Sequence, residues 1–112
     1  MKTKPALATV FEKGSYKSFA IDIIIRLQSD GGYVDVYLAD GTKKITCNSL
    51  AQCQRRLKRY SFCRIHQSHL VKLKHVKEIV PGKTYMAVMS DNSQVPVSRR
   101  LKAGFLSHFI FL

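Results

Sequence analysis

A chain of 112 residues has the length of one domain, and 46% hydrophobic with 10% aromatic content is the composition of a folded chain, not a disordered one. Nineteen Lys and Arg against seven Asp and Glu leave a formal charge of +12. That balance points to nucleic acid or an anionic membrane as partner, and it leaves few carboxylates for acid–base catalysis. Cys47, Cys53 and Cys63 are odd in number and lack CxxC spacing, which argues against a disulfide framework and suggests a cytoplasmic protein. No signal peptide and no bilayer-length apolar run is legible.

The charge is uneven. Residues 1–41 are close to balanced, 48–77 hold eight Lys or Arg and no acid, and 92–112 hold three more with none. Positive potential should gather where the middle of the chain meets its C-terminal segment.

In chain order, residues 1–9 read as a tail or linker. Gly14-Ser15 then turns a short hairpin between Val10-Phe11 and Ser18-Phe19-Ala20. The run AIDIIIRL predicts a buried strand from about Ile23, with Asp22 near a turn. Ser29-Asp30-Gly31-Gly32 is a turn signal. Tyr33 to Leu38 alternates, with Val34, Val36 and Leu38 on one side and Tyr33, Asp35 and Tyr37 on the other. Ala39-Asp40-Gly41 turns into a return strand over Lys43 to Cys47. Asn48-Ser49 offers an N-cap, and Leu50, Cys53, Leu57 and Tyr60 recur at helical spacing, predicting a helix from Ser49 to Arg59.

The stretch FCRIHQSHLVKLKHVKEIV, Phe62 to Val80, interleaves apolar residues with Arg64, His66, Gln67, Ser68, His69, Lys72, Lys74, His75 and Lys77. The first set can be buried, and the second can bond to phosphates and base edges. Pro81-Gly82-Lys83 turns the chain, and Asp91-Asn92-Ser93 joins strands over Thr84 to Met89 and Gln94 to Val97. Pro96 suggests an edge position or a strand end. Ser98 caps a final helix, Arg99 to about Phe109, with Leu101, Phe105, Leu106 and Phe109 at helical intervals. The fold class expected is mainly β, an elongated platform of short antiparallel hairpins with one central helix and a short C-terminal helix. One domain spans 10–109, and 110–112 form an apolar tail.

DGGYVDVYLADGTK, then SLAQCQRRL, then FCRIHQSHLVKLKHVKEI, then VPVSRRLK together resemble the LytTR-type DNA-binding domain of bacterial transcription regulators. The centre of the match is RIHQSHLVKLKHV, close to the family's F-x-R-x-H-x-S-x-L-V-N, and VPVSRR is the second strong element. The likeness covers roughly Phe11 to Phe109. It implies a platform whose loops enter successive major grooves of double-stranded DNA. It also implies base reading from Gly32 or Tyr33, from Gln67 and from Arg99, with Ser68, Arg100 and Lys102 on the DNA backbone. Two positions depart from the family: the first turn is Gly31-Gly32 where some members carry a base-reading side chain, and Lys72 stands where Asn is common.

The chemistry of these side chains is compatible with those roles. Arg99 can present its fork to guanine O6 and N7, and Gln67 can pair with adenine N6 and N7. Arg64, Lys72, Lys74, Arg100 and Lys102 suit phosphates, which fix register and affinity but read no sequence. Cys63, His66, His69 and His75 have no zinc-like spacing, so no metal or other cofactor is expected. Cys63 and His66 lack an orienting third group and an oxyanion feature, so an enzyme is not expected. His66 is read as the residue orienting the reading loop, His69 and His75 as surface residues, and the basic helix as a packing element.

The expected function is sequence-specific DNA binding by a transcription regulator, as a homodimer on paired half-sites. Such a regulator would be a short stand-alone protein or a fragment of a two-component response regulator. No small-molecule substrate and no membrane enter this reading. The rivals are non-specific RNA or single-stranded DNA binding through charge and Tyr33, Tyr37 and Tyr85, and membrane association through the basic helix and apolar tail. FLSHFIFL is either a helix docked on the sheet or a partner surface.

Overall fold

The computed structural model describes residues 6–112. Its centre is a five-stranded antiparallel sheet built from β3 (Ile24–Asp30), β4 (Tyr33–Leu38), β5 (Lys43–Thr46), β6 (Phe62–His66) and β7 (His69–Lys72), in the order β5-β4-β3-β7-β6. One face is covered by the hairpin of β1 (Leu7–Glu12) and β2 (Ser15–Ala20) with helix α1 (Leu50–Arg56). The other carries the sheet of β8 (Val76–Val80), β9 (Tyr85–Met89) and β10 (Gln94–Val97), with helix α2 (Arg99–Leu106). The resulting body is flat, 44 × 41 × 24 Å.

Two cores follow from a sheet covered on both sides. Ile24, Leu27, Val34, Val36 and Leu70 pack with Leu50, Cys53 and Leu57 of the α1 side. Ile25, Ile65 and Val71 pack with Ala87, Met89, Val95, Val97 and Phe105. The run of isoleucines serves both cores because neighbouring strand residues alternate, which sends Ile24 and Ile25 to opposite faces. The β3–β4 register shift between Ile24 and Arg26 then returns Leu27 to the face of Ile24. Full burial of side chains such as Phe105 and Ile65 stabilises by about 1.5–3 kcal/mol each.

Most expected elements form where the sequence places them, including the Gly14 turn, β4, the edge position of Pro96 in β10 and both Ser caps. Four details differ. Strand β1 already begins at Leu7, with Ala6 and Ala8 against the core, inside the span expected as a tail; residues 1–5 of that span lie outside the described residues. Asp35, placed by alternation on an open face, is only 4% exposed because both faces are covered, and Lys43 Nζ lies 3.8 Å from its carboxylate. Helix α1 ends at Arg56, where Leu57 leaves helical geometry (φ −98°, ψ 11°) into a one-turn 3-10 segment and the left-handed Ser61. Helix α2 stops at Leu106, and Phe109 instead stacks edge-on against Phe105 at 5.2 Å.

Candidate nucleic-acid interface

Strand register brings two turns to the same end of the central sheet. Gln28 pairs with His69, and Ser29 N–H donates to Ser68 C=O at 3.0 Å. The β3–β4 turn at Gly31-Gly32 therefore stands beside the β6–β7 turn at Gln67-Ser68. Gly31 has φ +62°, a backbone that favours glycine, whereas a Cβ at Gly32 would meet open space. A third piece joins from the other layer. Ser98 N–H donates to Ile65 C=O at 2.8 Å, which anchors the start of α2 against β6.

The β6–β7 turn is tied from within. His66 Nδ1 accepts from Ser68 N–H at 3.0 Å, so the neutral ring carries its proton on Nε2. That bond fixes the ring against the backbone of the turn. Arg64 does more of the same work: Nε donates to His66 C=O at 2.9 Å, Nη2 donates to Gln67 C=O, and Nη1 donates to Gln54 Oε1 of α1 at 3.0 Å. The sequence suggested a phosphate contact for Arg64. The structure commits its fork to the turn and to α1, and both burial and the neighbouring Arg100 lower its pKa.

Gln67 is exposed at the tip of this turn. It lines a cleft of about 280 Å³ with Arg64, Arg100 and Leu101. His66, Arg99 and Lys102 line a second cleft of about 230 Å³, joined by Lys83 and Tyr85. Lys102 Nζ lies over the Tyr85 ring at 4.4 Å. The sequence offered Lys83 only as part of a turn; a lone lysine there carries no pattern that would place it beside Arg99.

The first turn of α2 sets cations against its own dipole. Arg99, Arg100 and Lys102 follow the Ser98 cap, no acid lies in that turn, and none of the three forms an ion pair among the described residues. Cations at a helix N-terminus are unfavourable without an anion to neutralise them. The Ser98 cap itself is ordinary, its Oγ accepting from Leu101 N–H at 3.3 Å.

Other expected site residues fall elsewhere. Lys72 is 4% exposed, donates to Tyr60 C=O at 2.7 Å, lies over the Phe62 ring at 4.9 Å and stands 3.8 Å from Asp22. It makes a structural bond inside the fold and is not a surface cation; burial lowers its pKa against the pull of Asp22. Lys74 is exposed but lies beyond the far end of β7, 3.7 Å from Asp22. Five residues past His69, it is on the order of 15 Å from the turns. Tyr33 is 56% exposed next to Gly32.

Neither His69 nor His75 is a plain surface residue. His75 bridges Asp22 C=O at 2.8 Å and Ser90 Oγ at 3.0 Å. His69 is half-buried, with its Nδ1 enclosed and unbonded among the described residues. Burial, then His66, then Arg26 push its pKa down to about 4. The His66 and His69 rings are 5.2 Å apart, while His75 is at the opposite sheet end. Among the described residues no group of three or more His, Cys, Asp or Glu is placed to hold a metal, and no helix is long and apolar enough to cross a membrane.

The model of the LytTr DNA-binding domain family matches residues 14–109. The sensory transduction protein LytT of Bacillus subtilis is 33% identical over 78 residues, 68% of this chain and 32% of the relative. The heme-containing CO-sensing transcriptional regulator RcoM 1 of Paraburkholderia xenovorans is 33% identical over 93 residues, 80% of this chain and 34% of the relative. The chain thus spans about a third of the length of these curated relatives. A solved LytTr DNA-binding domain from Bacillus cereus superposes with a TM-score of 0.82 over 97% of this chain and 100% of its own, at 22% identity, which is a likeness of fold.

Proposed function

Because the chain belongs to the LytTR DNA-binding domain family, we propose that it binds double-stranded DNA sequence-specifically as part of a transcription regulator, with the β6–β7 turn and the start of α2 in successive major grooves. The observation that carries this reading is the three unpaired cations at the N-terminus of α2, in the clefts that flank the tethered Gln67 turn. A phosphate there neutralises both the side chains and the helix end.

Gln67 and Arg99 are the base readers, on adenine and guanine edges. The Gly31-Gly32 turn offers backbone amides and the exposed Tyr33 from the neighbouring loop. Arg100, Lys102 and Ser68 take phosphates, while Arg64 and His66 position the turn. Lys72 takes no part in binding DNA because it is buried, and Lys74 none because it lies at the wrong end of the sheet. One domain presents few base readers, so two copies on spaced half-sites supply the specificity that one lacks.

Selection and sequencing of random duplexes at two salt concentrations tests this. The expected result is a motif of two spaced repeats, with Arg99→Ala and Gln67→Ala each relaxing a different position at a cost of ~1–3 kcal/mol. Binding without enrichment, collapsing at the higher salt, would show charge alone at work and overturn the assignment of base readers.

A further inference from the structure

We infer that the α1 face holds a site for a small apolar anion, such as a medium-chain carboxylic acid, whose occupancy is felt at the β6–β7 turn. Between β1, β2, α1 and the central sheet lies a cleft of about 320 Å³, within the size range of small-molecule sites. Leu7, Val10, Phe19, Ile24 and Leu57 are among its lining residues. This apolar part accepts hydrocarbon, while Thr9, Thr46 and Asn48 add polar groups to the same lining; an apolar cavity of about 150 Å³ already takes a benzene ring.

The anionic end follows from the one charged residue of that lining. Arg56 is exposed and has no ion pair or hydrogen bond among the described residues. A guanidinium next to an apolar wall matches a carboxylate carried on a hydrocarbon tail, and it can bind both oxygens at once.

The route to the turn is short and made of named bonds. Cys53, Arg56 and Leu57 line the cleft from α1 and its C-cap. Gln54, between them in sequence, accepts from Arg64 Nη1, and the same guanidinium holds the His66 and Gln67 carbonyls. A ligand that shifts α1 therefore pulls on the group that fixes Gln67. The effect on DNA rests on the function proposed above; binding in the cleft does not.

The test is titration of the full chain with decanoate and with decanol, read by amide chemical shifts and by calorimetry. Saturable one-to-one binding of decanoate, weakened at least tenfold for decanol and for Arg56→Ala, is expected. So is loss of binding in Ala8→Phe, which adds a ring at the cleft's half-exposed edge. Shifts must include the Gln67 and Ser68 amides. No saturable binding, or binding indifferent to Ala8→Phe, overturns the site, and equal binding of decanol overturns the anion assignment. Binding with both turn amides unmoved overturns the coupling. A change of about fivefold or more in DNA affinity with decanoate is expected where the DNA reading holds; the amide shifts judge the site even where it fails.

Discussion

At the scale of single residues, position in sequence and job in the fold part company most clearly at Arg64 and Lys72. Both are basic residues of the central stretch, and the chain's charge makes each look like a phosphate ligand. Arg64 instead spans three acceptors with one planar fork, which a lysine ammonium cannot do. Arg64→Lys is therefore expected to lose ~1–3 kcal/mol of stability and to weaken DNA binding. The salt dependence should change little, because no phosphate contact is removed. A slope that falls by a full unit in Arg64→Lys would make it a phosphate ligand after all.

His69 carries a second residue-scale consequence. In the fold its pKa is held near 4, below the ordinary value of about 6.5, by burial first and then by His66 and Arg26. The unfolded chain thus takes up this proton before the folded one. Its share of stability is whole above about pH 6.5 and is lost as the pH falls toward 4. Urea midpoints are expected to drop from pH 7 to pH 5, and His69→Gln should flatten that drop. The Asp40 and Asp91 carboxyls have lowered pKa values and weaken the fold only at more acidic pH, and the comparison with His69→Gln assigns this histidine's share of the drop.

Elements were legible where local pattern and local chemistry agree. The alternation of β4 and the Ser49 cap are read directly from sequence, and the structure adds a reciprocal pair: Gln52 N–H donates to Ser49 Oγ at 3.1 Å, and Ser49 N–H to Gln52 Oε1 at 2.8 Å. Ser49→Ala should cost ~1 kcal/mol, measurable as a shift in the urea midpoint with unchanged m-value. A loss below about 0.3 kcal/mol would mean that tertiary packing alone holds α1. Element ends were less legible. Leu57 fits the helical spacing yet closes α1, because its burial in the α1-side core is met by a 3-10 turn just as well. Nothing in the spacing of Ile24, Ile25 and Leu27 announces the bulge that returns Leu27 to the face of Ile24.

For the molecule as a whole, the family motifs point to the turns of the proposed interface but not to the side chains that surround them. Lys72 and Lys74 lie in the same basic run as Gln67, and only the direction of β7 shows that they travel away from it. Lys83 comes from a distant turn and arrives beside Arg99 through the register of β8 and β9. Sequence charge density therefore reports the total positive potential and not its layout. The layout can be read from salt dependence, since a side chain that neutralises one phosphate adds ~0.9 to the slope of log K against log salt. Arg100→Ala and Lys102→Ala should each remove about that much, and together about twice as much. Lys74→Ala, an equal loss of net charge at the opposite end of the sheet, should leave the slope within error of the parent. Equal slopes for all three variants would mean that DNA senses only the overall charge of the domain, and that the end of the sheet bearing Gln67 and Arg99 is not the face that meets DNA.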